Sequence, residues 1–142
     1  MIRRTLIALG GVVALTGLTG FAEPDRYAAG QVWEYRTRPG DEGSLLKIQR
    51  IETIGPADGG ERVYHISVIG FRLRNPEMQP VLQHSPVSRE TLDASVTRLG
   101  DQSVKFPDPG DGIAQWKADN GGIFTLPVAE IIEFIDQQTA GR

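Results

Sequence analysis

Residues 62–74 alternate so that Tyr64, Ile66, Val68 and Gly70 share one side, while Val63, His65, Ser67, Ile69 and Phe71 share the other. Both sides are largely apolar, so this run must be a strand covered on both faces. Two shorter runs precede it. Gln31–Thr37 alternates, with Trp33, Tyr35 and Thr37 opposite Glu34 and Arg36, and Ser44–Ile54 forms a second run. In the latter the apolar spacing stretches to three between Ile48 and Ile51, the mark of a β-bulge. Pro39-Gly40 and Gly55-Pro56 lie in the turn clusters between runs, since proline cannot donate to a ladder and glycine accepts turn conformations. An antiparallel β-meander is the economical arrangement.

After Asn75-Pro76 and Pro80 the periodicity changes. A short strand is expected at Val81–His84, and Ser88 has the position and chemistry of a helix N-cap. Leu92, Val96 and Leu99 repeat at helical spacing until Gly100, which predicts one helix across them. Val104–Phe106 reads as another short strand, and Asp111 as the cap of a helix carrying Ile113 and Trp116. Pro127 suits a helix start, followed by Val128, Ile131, Ile132 and Ile135 on one face, with Glu130, Glu133 and Asp136 turned away. The expected fold class is α+β: an N-terminal antiparallel meander of three to five strands with two or three C-terminal helices packed on it.

The first 22 residues stand apart from that pattern. Arg3-Arg4 precedes an uncharged apolar stretch, and Gly20-Phe21-Ala22 places small residues where a signal peptidase needs them. Residues 1–22 are therefore read as a signal peptide cleaved near Ala22, and residues 23–142 as a single α+β domain. The expected location is periplasmic or secreted, in a bacterium. The paired arginines also occur in twin-arginine signals, so the export route stays open. A retained anchor is the alternative, and only that would bring a membrane into contact.

Processing changes the charge. The full chain has 15 Lys+Arg and 18 Asp+Glu, a net −3, whereas residues 23–142 carry −5. Residues 23–74 are balanced, eight basic against eight acidic, and 75–142 hold five against ten. An acidic balance argues against a nucleic-acid partner and suits a basic protein one. The absence of cysteine excludes disulfides, thiolate metal sites and a cysteine nucleophile.

Few residues combine into a chemical motif. His65 and His84 lack any His-x-x-x-His or His-Glu-x-x-His spacing, and His84 with Ser85, Ser88 and Glu90 lacks a Gly-x-Ser-x-Gly elbow. Asp108-Pro109-Gly110-Asp111-Gly112 is too short of acids for a calcium loop, and no phosphate-binding glycine loop is present. No cofactor, metal or catalytic residue is assigned on this basis. Arg36/Arg38 and Arg72/Arg74 are each spaced by two, so each pair projects to one side of an extended run. With Trp33 and Tyr35 they form the candidate binding set.

The stretch Gly30-Gln31-Val32-Trp33-Glu34-Tyr35-Arg36-Thr37-Arg38-Pro39-Gly40-Asp41-Glu42 resembles a family of small uncharacterised bacterial proteins with a Gly-x-x-Trp-x-Tyr-x-Thr-Arg-Pro-Gly-Asp/Glu run. Val63–Ser67, Gly122–Thr125 and Val128–Ile131 are similar to it too. The resemblance implies a shared fold and carries no activity. Three readings follow: a non-enzymatic exported binding module that binds or inhibits another protein; a small periplasmic enzyme using His65 or His84 with nearby carboxylates; or a structural protein of the envelope.

Overall fold

The computed structural model describes residues 25–56 and 58–141. The signal peptide expected at 1–22 lies outside the described residues. In chain order the elements are β1 (Val32–Tyr35), β2 (Leu45–Ile54), β3 (Glu61–Ile69), β4 (Val81–Val87), α1 (Arg89–Ser95), β5 (Val96–Leu99), α2 (Gly110–Ala118) and α3 (Val128–Thr139). The strands form one antiparallel sheet in the order β4-β3-β2-β1-β5. The architecture is thus α+β, strands first and helices mainly afterwards. No helix among the described residues is long and apolar enough to cross a membrane.

Alternation explains the two-sided burial of β3. Tyr64, Ile66 and Val68 join Trp33, Tyr35, Leu46 and Ile48 in the principal core, beneath Leu92 of α1 and Val128, Ile131 and Ile132 of α3. Val63, His65 and Ser67 point the other way and are equally buried, there under α2 and its approach loop. The β2–β3 register slips between Ile48 and Arg50, so the stretched apolar spacing is indeed a bulge. Its extra residue, Gln49, uses its amide to hold Ser67 Oγ at 3.2 Å and the Pro107 carbonyl at 2.9 Å.

The predicted third strand stops at Ile69 rather than Arg74. Gly70 has φ +82°, and a Cβ there would come within 3.3 Å of Ser44 Cα, so the chain turns away beside the β1–β2 connection. The helix predicted through Leu99 also ends early. Ser88 caps α1 by accepting from the Thr91 amide at 3.1 Å, but Val96–Leu99 leaves the helix and pairs with β1, Tyr35 opposite Val96 and Trp33 opposite Leu99. An unpaired strand edge offered hydrogen bonds to residues whose β-branching already favours extension, and it overrode the helical spacing. Val104–Phe106 is not a strand; it belongs to the loop leading to α2.

The segment before β1 is part of the core. Tyr27 packs edge-on to Trp33 and Tyr64, at centroid distances of 5.8 and 5.7 Å, and its hydroxyl donates to Asp93 of α1 at 2.6 Å. Tyr64 in turn donates to Asp25 at 2.7 Å.

Candidate functional site

The six residues selected from the sequence divide into packed and paired groups. Trp33 and Tyr35 are buried within the core; the Trp33 indole donates to Gln31 and the Tyr35 hydroxyl meets Ser44 Oγ at 2.7 Å. Burial pushes the Tyr35 hydroxyl up to about 12. Arg36 is exposed and donates to the Ala94 carbonyl at the end of α1.

Arg38 and Arg74 do converge, but on carboxylates, and Arg72 joins them through its backbone. Arg38 Nε bonds Asp41 Oδ2 at 2.7 Å, and its Nη1 meets Glu133 Oε1 at 3.0 Å and Asp136 Oδ2 at 2.9 Å. Its Nη2 donates to the Arg72 carbonyl at 2.5 Å. Asp41 accepts from the Arg72 amide and Asp136 from the Arg74 amide, at 3.0 and 2.8 Å. The amide of Arg74, and then Arg38, hold the Asp136 carboxyl below its ordinary value despite burial. Two guanidinium groups, Arg38 and Arg74, face the three carboxylates, while the Arg72 side chain reaches the Gly40 carbonyl at 3.4 Å, and the cluster clasps α3 to the β1–β2 turn and to the segment after β3. Arg38 and Asp41 of the Arg38-Pro39-Gly40-Asp41 turn are therefore engaged within the fold. Asp136, expected to face away, points inward; it stands four residues after Ile132, so the helical phase did carry that signal.

The second assembly joins side chains that the sequence scatters. Glu52 of β2, His65 of β3 and His84 of β4 lie on the sheet face covered by α2. His65 Nε2 meets Glu52 Oε2 at 2.7 Å, and His65 Nδ1 meets His84 Nε2 at 2.8 Å. Lys117 of α2 closes the series, its Nζ lying 2.9 Å from Glu52 Oε1. Trp116 stands edge-on to His65 with centroids 4.9 Å apart. Gly112 lets α2 approach: a Cβ there would fall 2.6 Å from His84 Cβ. The register that makes Glu52 a diagonal neighbour of His65 depends on the bulge at Gln49, which strand alternation alone does not locate.

Hydrogen-bond logic fixes the protons. An ionised Glu52 only accepts, so His65 Nε2 carries a proton and Nδ1 accepts from His84 Nε2. His84 Nδ1 is then unprotonated, and it lies beside Gly112, where a Cβ would be 3.2 Å from it. Burial, reinforced by the neighbouring His65, brings His84 down to about 4. Burial also lowers His65, against the pull of Glu52. The Lys117 hydrogen bond holds Glu52 low.

Among the described residues, neither imidazole is bonded to a hydroxyl. Ser67 donates to the Gln83 carbonyl, Ser88 caps α1, and Ser85 lies opposite Ile66 on the other sheet face, with its Oγ unpaired. Among the described residues no group of three or more His, Asp or Glu side chains is placed to hold a metal ion. What opens to solvent beside the cluster is a groove of about 410 Å³, lined by Glu52, Thr53, Ile54 and Gly55 on one side and Trp116, Lys117, Asn120 and Gly121 on the other.

Comparison with family models, with curated proteins and with solved structures finds no match to this chain.

Proposed function

We propose that this chain is an exported, non-enzymatic binding module that engages another protein through the groove between the end of β2 and the end of α2. The observation that supports this reading is the distribution of chemistry around Glu52. Both nitrogens of His65 are engaged internally, whereas the groove presents recognition groups: the Glu52–Lys117 pair, the half-buried Trp116 and the exposed Ile54. An apolar contact flanked by a polar pair is a common composition for protein recognition. Export, with cleavage near Ala22 and a periplasmic or secreted location, belongs to the same proposal.

The test is retention of native periplasmic proteins on the immobilised chain and on its Ile54→Asp and Lys117→Glu variants. Both substitutions are at exposed positions of the groove. A protein retained by the parent and lost by both variants is expected; retention that ignores both substitutions refutes the groove as the binding site. Intact-mass measurement of the exported protein tests cleavage, because an uncleaved chain keeps residues 1–22 and favours the envelope-structural reading.

The Glu52–His65–His84 series supports a second reading, a small enzyme in which the imidazoles move a proton for a substrate. It requires substrate access to His84 Nδ1, which faces Gly112. Turnover abolished by His84→Gln but indifferent to Ile54→Asp would favour the enzyme over the binding module.

A further inference from the structure

The Glu52–His65–His84 series lies at a strand–helix contact, with His65 buried and Glu52 and His84 half-buried, and its hydrogen bonds can be satisfied in only a limited number of protonation states. We propose that α2 is an acid-released flap, docked on the sheet while the two imidazoles are neutral and freed when they take up protons. This goes beyond the binding reading, because the device needs no ligand.

In the neutral state every contact is attractive. The His65 proton goes to Glu52, the His84 proton goes to His65, and unprotonated His84 Nδ1 lies beside Gly112 in the first turn of α2, where a Cβ would be 3.2 Å away, at the positive end of that helix. One added proton can be relayed along the series, with His65 becoming the cation beside Glu52. His84 Nδ1 then carries an N–H beside the first turn of α2, the positive end of the helix, and attraction becomes repulsion. A second proton is worse: both facing nitrogens, 2.8 Å apart, would carry hydrogens, so the His65–His84 bond must break.

The surrounding charges are mixed in sign. From β2, Glu52 favours the added charge and Arg50 disfavours it; from α2, Lys117 disfavours it, and Asp111 of the first turn, of favourable sign, is solvent-exposed. Asp108, in the loop before α2, is already engaged with the Gly110 amide at 2.8 Å. Gly112 leaves no space for His84 to swing under the helix.

Besides the imidazole contact, α2 is held by the Lys117–Glu52 pair, by the Gln83 bond to the Asp108 carbonyl just before it, and by a small apolar footing. Ile113 is the one residue of α2 that is fully buried, and Trp116 rests on His65 itself. The principal core, with α1 and α3, lies on the opposite sheet face and does not depend on this contact. Because Trp116 and Lys117 belong to α2, release would also take away one wall of the groove.

Nitrogen-15 NMR of the isolated chain between pH 7 and pH 3.5 tests the proposal without any ligand. Both imidazoles are expected to titrate below the ordinary histidine range, and the amides of Gly110–Ala118 to lose their docked shifts in the same pH window. Those of Val128–Thr139 should stay unchanged. His84→Gln removes the second protonation site and should keep α2 docked throughout. Glu52→Gln retains an acceptor for His65 but removes the charge that supports its protonation, so the midpoint should fall by roughly 1 pH unit. The proposal is overturned if α2 amides ignore the imidazole titration, if α2 and α3 are lost together, or if Glu52→Gln leaves the midpoint unmoved. Failure of the groove variants to alter protein retention would leave this outcome untouched, so the two proposals fail separately.

Discussion

Replacing Arg38 with methionine removes the cation that three carboxylates share while keeping most of the side chain's bulk. Asp41 and Asp136 are nearly inaccessible, with side chains 3% and 5% exposed, so they would be left buried and less compensated. Breaking one partner of a buried ion pair costs about 3–5 kcal/mol. Glu133 is more exposed and Arg74 still lies within 3.6 Å of Asp136, so the lower end applies, about 3 kcal/mol. For a domain of this size that is a fall in Tm of about 12 °C, or about 2 M in the urea midpoint. Tryptophan emission during urea unfolding reads it directly, since Trp33 is in the core. The companion variant adds Asp41→Asn and Asp136→Asn. Asparagine carbonyls still accept from the Arg72 and Arg74 amides, so most of the loss should be recovered once the stranded charges are gone. A loss below about 1 kcal/mol for Arg38→Met would place the cluster among solvent-screened surface pairs. A triple variant no more stable than the single one would show that desolvated charge is not the cause.

Gly112→Ala inserts a methyl where His84 Cβ already stands and should lower stability by about 1–3 kcal/mol, measured by thermal unfolding; an unchanged Tm would mean α2 is not seated as described. Ser88→Ala removes the α1 cap and should cost about 1 kcal/mol in the same assay, whereas Ser88→Asn should cost much less. The acid response has a definite sign. His84 binds its proton near pH 4 when folded and near 6.5 when unfolded, so below pH 6.5 the unfolded chain gains protons first. Its contribution is complete above pH 6.5, declines toward pH 4 and is then exhausted. The full shift corresponds to about 3 kcal/mol, and partial solvent screening reduces this to about 1–2 kcal/mol. Urea midpoints across this window should therefore fall less for His84→Gln than for the parent.

The sheet was legible because β3 declares itself. Two apolar faces need two covers, and the bulge spacing between Ile48 and Ile51 survives in the β2–β3 register. The end of the α1 helix was not legible, because Leu92, Val96 and Leu99 satisfy helical spacing as well as they serve a helix followed by a strand. What decided it was the open edge of β1, a feature of the assembled sheet. The arginine pairs illustrate the same limit. Spacing by two placed each pair on one side of an extended run, yet Arg36 reaches the Ala94 carbonyl while Arg38 and Arg74 meet Glu133 and Asp136, some sixty residues further on from the second pair. The histidine series was hidden for a related reason. Its three members come from three strands, and one inserted residue in β2 sets which of them touch.

The place of β1 in the sheet has a kinetic consequence. Its partner β2 lies just beyond a short turn, but its other partner, β5, is reached only through pairs such as Glu34–Arg98, 64 positions apart. Loop closure over that length is entropically expensive, while the β2–β3–β4 hairpins close locally. The meander should therefore form first, with one flank of β1 unsealed until α1 has packed and delivered β5. During that interval β1 is an available template for another chain's strand, which makes dilution during refolding the simplest protection against misassembly.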